Sequence, residues 1–474
     1  MIHQYKANGY NIVLDVNSGM VHVVDDLAYD IIAMYENNGQ ESIIAAMVEK
    51  YTRPEYISSI VPKEDKGDFT DTIESLVRQI MEVMVDIAQL KRDGALFTQD
   101  IYEGYIKEFK QRTTVVKALC LHIAHDCNLA CRYCFAGEGE YKGGRSLMSY
   151  EVGKQALDFL IASSGSRRNL EVDFFGGEPL MNFGVVKDLV IYGREQEKLH
   201  NKNFRFTLTT NGILLNDEIM EFLNKEMSNV VLSIDGRKEV HDRMRPSKNN
   251  KGSYDLILPK FLKLAESRNQ KNYYVRGTYT HYNLDFFEDV KHLSDLGFEQ
   301  ISIEPVIASE EEPYAITKED LPILFAEYDK LAKFMIERKK EGRKFNFFHF
   351  MIDLSGGPCV AKRLSGCGSG TEYLSVTPWG DLYPCHQFVG TTEFLMGNVF
   401  DGVKEDSIRE EFRECNVYSK EKCRNCFARF YCSGGCAANS FKFHGSINDS
   451  YDIGCELQKK RVECAIMLKA AEAE

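Results

Sequence analysis

Between residues 116 and 306 the chain repeats one rhythm. Short apolar or alternating runs at 116–123, 170–175, 204–210, 230–234, 274–280 and 301–306 are separated by longer stretches, such as 149–163 and 216–225. In those stretches apolar residues return every three or four positions. The short runs read as strands and the longer period as helix. Six βα units in succession predict a parallel sheet, open or curled into a partial barrel, with ligands gathering at the C-terminal strand ends. The residues with chemistry to offer fall at those ends. Cys127, Cys131 and Cys134 follow the first strand, Gly176-Gly177-Glu178-Pro179 the second, Asn211-Gly212 the third and Asp235-Gly236 the fourth.

The flanks follow other patterns. Near the start, β-rich runs at 12–16 and 20–24 surround Asn17-Ser18-Gly19, a hairpin signal. Asp25-Asp26 caps a helix through Leu27, Ile31 and Tyr35; Ile43, Ile44, Met47 and Val48 mark a second. Ile73, Leu76, Ile80, Val83, Ile87 and Leu90 mark a third, with Gly94 as its stop. This predicts a winged-helix-like module over 1–95 and a linker over 96–115, either a structural cap or a strand edge that docks a peptide. The barrel segment spans 116–345, ending in a charged helix at 318–344. The remainder, 346–474, has short elements rich in Gly and Cys, spaced like a metal-stapled domain.

Composition narrows the function. The net charge of −13 argues against nucleic acid as a partner. No stretch is apolar enough for a membrane span, and the start lacks a secretory pattern, so the expected location is the cytoplasm. Fourteen cysteines in such a chain point to metal or redox chemistry rather than disulfides.

The gaps of three and two in "CNLACRYC" let three thiolates converge. An iron–sulfur cluster fits best, against a zinc site completed by His122 or His125, a redox dithiol, or chance. Glycines at 176 and 177 allow close backbone approach to a ligand, or simply a tight turn. Glu178 suits a cationic amino group. Ser233 and Asp235 suit hydroxyl or carboxylate groups, or serve as turn caps.

The C-x3-C-x2-C after the first strand, with GGEP after the second, resembles the radical S-adenosylmethionine (SAM) enzymes. That resemblance implies a 4Fe-4S cluster on Cys127, Cys131 and Cys134, its remaining iron left to SAM. It places Phe135 beside the adenine, Gly176, Gly177 and Glu178 beside the methionine amino group, and Ser233 at the carboxylate or ribose. In the tail, Cys367 is followed by Gly380 and Cys385, then Cys423, Cys426, Cys432 and Cys436 run C-x2-C-x5-C-x3-C, and Cys455 closes the series. This resembles the SPASM domain of peptide-modifying radical SAM enzymes, with two zinc knuckles as the alternative. It implies two auxiliary 4Fe-4S clusters: a distal one on Cys423, Cys426, Cys432 and Cys455, and a nearer one on Cys367, Cys385 and Cys436. Cys359 either closes the nearer set or leaves it open to a substrate thiolate. Cys120, Cys415 and Cys464 match neither motif and read as structural.

Together the segments resemble the maturases of SCIFF peptides. The fold class expected is α/β, a partial (β/α)6 TIM-type barrel between an N-terminal winged-helix-like peptide-recognition domain and a C-terminal SPASM domain. The activity implied is a thioether link between a cysteine sulfur and the α-carbon of an acceptor residue. The cofactors would be SAM and three 4Fe-4S clusters. The partners would be a cysteine-rich precursor peptide, bound through its leader, and an electron donor such as flavodoxin or ferredoxin. Two alternatives stay open: another SPASM modification (sulfatase-type Cys or Ser oxidation, or a carbon–carbon cross-link), and a non-catalytic zinc-stabilised peptide-binding scaffold.

Overall fold

The computed structural model describes residues 1–56, 69–106, 115–354 and 360–473. It divides into two compact units. The first comprises Met1–Tyr105, Ile352–Gly357 and Val462–Glu474, and the second Ile106–Met351 and Pro358–Arg461.

In the first unit, β1 (Ile2–Ala7), β2 (Tyr10–Asp15) and β3 (Val21–Val24) form an antiparallel sheet in that order. The hairpin read from sequence is β2–β3. The strand β1 adds to it, pairing from Ile2↔Asp15 to Ala7↔Tyr10. Asp15 is fully buried and fastens the turn, accepting from the backbone N–H of Asn17 (3.1 Å), Ser18 (2.9 Å) and Thr98 (2.9 Å). Burial raises its pKa, but the bonds from Ser18 and Thr98 outweigh that and leave it lowered. Helices follow. The first, α1 (Asp26–Met34), is capped by Asp25, which accepts from the Ala28 N–H. Next come α2 (Gln40–Tyr51) and α3 (Phe69–Arg92), with Gly94 beyond the end at φ +68°. Leu27, Ile31, Ile43, Met47, Leu76, Ile80 and Ile87 meet in one core, so the helical periodicity marks the buried faces.

The second unit is built on one sheet. Its strands are β4 (Ala118–His125), β5 (Ser146–Leu147), β6 (Asn169–Gly176), β7 (Asn203–Thr210), β8 (Met227–Ser233), β9 (Tyr273–Tyr279), β10 (Gln300–Pro305), β11 (Asn346–Phe347), β12 (Tyr373–Val376), β13 (Asp381–Tyr383), β14 (Gly397–Asn398) and β15 (Gly402–Val403). Their order is β11-β10-β9-β8-β7-β6-β4-β12-β13-β14-β15, with β5 antiparallel on β4. Every pair from β11 to β12 is parallel. Helices α4 (Tyr150–Ser163), α5 (Phe183–His200), α6 (Asp217–Glu226), α7 (Lys238–Met244), α8 (Tyr254–Ser267), α9 (Phe286–Asp295) and α10 (Leu321–Lys340) alternate with the strands. Ser149 and Asn216 cap α4 and α6 as their positions predict, accepting from the N–H of Val152 and Ile219. All eight residues of β4 are buried, as expected for a strand flanked on both edges, β6 on one and β12 on the other. The tail therefore continues the sheet: β12 pairs in parallel with β4 through Tyr373↔Ala118 to Val376↔Leu121. Among the described residues the tail also carries α11 (Val360–Ser365), α12 (Asp406–Glu414), α13 (Glu421–Arg424), α14 (Arg429–Cys432), α15 (Ala437–His444) and the long α16 (Asp452–Ala473), which belongs to the first unit from Val462 onward.

Candidate functional site

The C-terminal ends of β4 and β6 to β10 open onto a cavity of about 240 Å³. Its wall carries Cys127, Cys131 and Cys134, then Phe135, Gly176, Gly177, Glu178 and Ser233. The structure thus brings together every residue that the radical SAM resemblance assigns to cluster and SAM.

The cysteine loop is held from several sides. Ala130 N–H donates to Pro246 C=O and Arg132 N–H to Met244 C=O, both at 2.9 Å. Tyr133 donates its hydroxyl to both oxygens of Asp235 (2.8 and 2.6 Å), and Arg245 Nε donates to Oδ1 at 3.0 Å. The Thr278 N–H also donates to Oδ1, at 3.0 Å. Asp235 is fully buried, so its carboxylate serves as the anchor of the loop and does not face a ligand. Burial pushes the Cys127 thiol up to about 11, with Glu178 and Cys134 adding to it. It takes Cys131 to about 12 against the pull of Arg245, with Cys127 and Cys134 adding to the rise. Cys127, Cys131 and Cys134 face one cavity, and a metal centre bound there would favour their thiolate forms. That fits three ligands to an iron–sulfur cluster.

The two glycines serve a purpose beyond ligand approach. A Cβ on Gly177 would stand 2.0 Å from the carbonyl oxygen of Asp126, and one on Gly176, at φ +122°, 2.3 Å from that of Ala124. Gly177 N–H donates to Ala124 C=O (2.8 Å) and Glu178 N–H to Asp126 C=O (2.9 Å). The pair therefore lets the root of the cysteine loop lie against the end of β6. Glu178 is fully buried and accepts from Thr210 Oγ1 (2.8 Å) and the N–H groups of Leu180 (3.0 Å) and Asn211 (2.7 Å). Burial raises its pKa to about 7, against those three bonds. These partners fix the carboxylate at the cavity wall.

The two histidines considered as zinc ligands lie elsewhere. His122 and His125 are fully buried and bond to each other at 3.0 Å, and His122 Nε2 meets Ser375 Oγ at 3.1 Å. Neither lines the cavity. Burial first, and the neighbouring imidazole, push His122 well below its ordinary value; burial takes His125 to about 4. Among the described residues no three His, Cys, Asp or Glu side chains close on one point as a single metal ion requires.

Other lining residues escaped the sequence reading. Arg276, midway along β9, pairs with Glu304 near the end of β10 (2.8 Å), while His386, Gln387 and Lys442 reach the cavity from the tail. His386 lies tilted against Phe175 (5.1 Å) and Phe135 (5.8 Å between centroids). The strand-end rule could have found Glu304; nothing local marks Lys442.

The tail cysteines fall into two neighbourhoods. Cys385 is pushed well above its ordinary value by burial, then by Cys436 and Cys367. Cys432 rises to about 12 by burial, then through Cys455, Cys423 and Cys426. Cavities accompany both sets: one of about 430 Å³ holds Cys367 with Cys415 and Lys420, and one of about 330 Å³ holds Cys432, Cys436 and Cys455. Cys359 lies outside the described residues. Cys120 and Cys464 are buried. No helix among the described residues is long and apolar enough to cross a membrane.

Comparison with known proteins agrees with this geometry. Residues 121–258 match the radical SAM superfamily model. A cysteine-type anaerobic sulfatase-maturating enzyme of Clostridium novyi is 25% identical over 357 residues, covering 71% of this chain and 92% of the relative. Among solved structures, anSMEcpe with bound AdoMet and Cp18Cys peptide superposes with a TM-score of 0.64 at 20% identity, over 76% of this chain and 99% of that one. SuiB of Streptococcus suis, bound to precursor peptide SuiA, does so with a TM-score of 0.52 at 18% identity, over 96% and 98%.

Proposed function

From the premise that residues 121–258 are a radical SAM domain, we propose that the protein joins a cysteine sulfur to the α-carbon of an acceptor residue in a ribosomally made, cysteine-rich peptide. Cys127, Cys131 and Cys134 would hold a 4Fe-4S cluster; Phe135, Gly176, Gly177, Glu178 and Ser233 would hold SAM. Bound together and reduced, cluster and SAM supply a carbon radical that takes hydrogen from an unactivated C–H bond. The chain positions the reacting groups. Glu178, held by three donors, offers a fixed anion for the amino group of SAM. Asp235, Tyr133 and Arg245 keep the cysteine loop in place, and Phe135 with His386 covers one side of the cavity.

One observation carries the reading. Glu304, Pro305 and Ile307, at and just past the end of β10, line both the cavity of the cysteine loop and the cavity of Cys432, Cys436 and Cys455. A peptide in the first cavity therefore lies a wall away from the tail cysteines, which we assign to two auxiliary clusters: Cys367, Cys385 and Cys436, and Cys423, Cys426, Cys432 and Cys455. SuiB and anSMEcpe, both of this fold, were captured with peptides, which supports a peptide substrate. The first unit offers β1 and β3 as sheet edges, suited to a leader segment adding as a strand. The electron would come from a flavodoxin or ferredoxin, in a compartment that keeps thiols reduced.

A second reading, oxidation of a peptide or protein cysteine, is favoured by the sulfatase-maturating relative. Anaerobic turnover with a cysteine-rich peptide and mass spectrometry separates the two. A thioether removes two hydrogens, blocks one thiol from alkylation and keeps protease fragments joined. A modified peptide whose fragments separate would overturn the thioether reading in favour of oxidation.

A further inference from the structure

Lys420 is an unusual residue to find inside the tail. It is 3% exposed and sits at the N-cap of α13, its Nζ donating to Gly434 C=O at 2.9 Å. Gly434 and Gly435 carry the turn that leads to Cys436. Lys420 shares the cavity of Cys367 and Cys415. Its backbone C=O accepts from the Cys423 N–H at 3.0 Å, and its charge favours the thiolate forms of Cys415, Cys423 and Cys436. Cys423 belongs to the set proposed for the distal cluster and Cys436 to the set proposed for the nearer one. The lysine therefore lies where the two sets meet.

Its surroundings do not otherwise explain it. Among the described residues no carboxylate pairs with Lys420; Glu411 on α12 bears on Cys415 but is itself exposed. Taking an ammonium out of water costs several kcal/mol unless an opposite charge accompanies it. Cysteines become that opposite charge when they bind metal. Adding an electron to a thiolate-ligated cluster makes it more negative, and a fixed cation in a poorly polarisable interior favours that step.

Resting on the auxiliary-cluster reading above, we propose that Lys420 sets the reduction potential of both auxiliary clusters, holding it above the value that cysteine ligation alone would give. Lys420 is a positioning charge and touches neither SAM nor substrate in this role.

The test uses the full chain, purified anaerobically, with Cys127, Cys131 and Cys134 replaced by Ala so that only auxiliary signals remain. Iron and sulfide are counted, and the signals are titrated by electron paramagnetic resonance against solution potential. Lys420→Met should keep the iron and shift the midpoints negative. At the unaltered midpoint the reduced-to-oxidised ratio should fall about tenfold, or about 59 mV for a one-electron couple. Lys420→Arg should stay near the parent. Lys420→Gln, which keeps a donor for the Gly434 carbonyl, carries the comparison if the Met variant loses its iron. Unchanged midpoints in a neutral variant that retains its iron would overturn the role of Lys420 and leave the clusters standing. Absence of iron and sulfide from the parent would overturn the auxiliary-cluster reading itself, and this proposal with it.

Discussion

Cys127, Cys131 and Cys134 share one short loop, whereas Cys367, Cys385 and Cys436 come from three separate segments of the tail. The loop set faces one cavity while Cys367 and Cys436 line two others, and the interactions that assemble the sets differ. The loop set is fixed by backbone: the ends of β4 and β6 touch through Gly176 and Gly177, and Asp235 ties Tyr133 and Arg245 together. In the tail set Cys385 is fixed by packing, while Cys367 and Cys436 are exposed. Cys385 belongs to an aromatic cluster with Tyr383, Phe388, Phe394 and Phe412, and Cys134 packs against the same cluster. The loop set therefore shares that core through Cys134 alone and takes the rest of its support from backbone, while the dispersed set meets it through Cys385. The two should fail in different ways when perturbed.

The largest effect should follow replacement of Cys127, Cys131 and Cys134 by Ala. Formation of 5′-deoxyadenosine under anaerobic reduction falls to background, as read by chromatography. Cys385→Ala should separate the two regions, retaining 5′-deoxyadenosine while the peptide cross-link disappears; equal loss of both would erase the distinction. Asp235→Ala leaves Arg245 without its buried counter-ion and should cost about 3–5 kcal/mol in denaturant unfolding. Gly177→Ala drives a methyl into the Asp126 carbonyl and should cost about 3 kcal/mol. Gly435→Ala in the tail faces open space at φ +75° and should cost only about 1 kcal/mol. The smallest effect is a pH dependence at Glu304. Burial raises its pKa, but Arg276 and His349 outweigh that and hold it at about 2, below the ordinary 4.5. Its contribution is therefore complete above about pH 4.5 and is lost as the pH falls toward 2. With 32% of the side chain exposed, this amounts to about 1 kcal/mol or less. Glu304→Gln should flatten that part of the stability profile.

Much of this was legible from residue order. The six parallel strands stand within a few residues of their expected positions, because alternation and β-branching mark a half-buried strand wherever it lies. The first strand, β1, was not legible, since IHQYKA becomes a strand by pairing with β2. Gly-Gly at 176–177 was legible as a place of close approach, but what approaches is the backbone of residues 124–126. Asp235 stood at the right strand end for a ligand contact, yet Tyr133, Arg245 and Thr278 use its oxygens. Ser233 and Asp235 are two residues apart and share a strand direction; only their neighbours distinguish a cavity wall from an anchor.

By itself the sequence determined the strand and helix rhythm, the ends at which chemistry gathers, and the spacing that makes three thiols neighbours in one loop. These follow from the covalent chain, whose periods are local. Tertiary structure alone decided that His122 and His125 bond to each other beside Ser375, away from the cysteine loop. It also decided that β12 joins the sheet against β4, that His386 and Lys442 reach the cavity, and that Lys420 lies buried between two sets of cysteines. Burial and proximity across hundreds of residues depend on which surfaces exclude water together, and no local period records that.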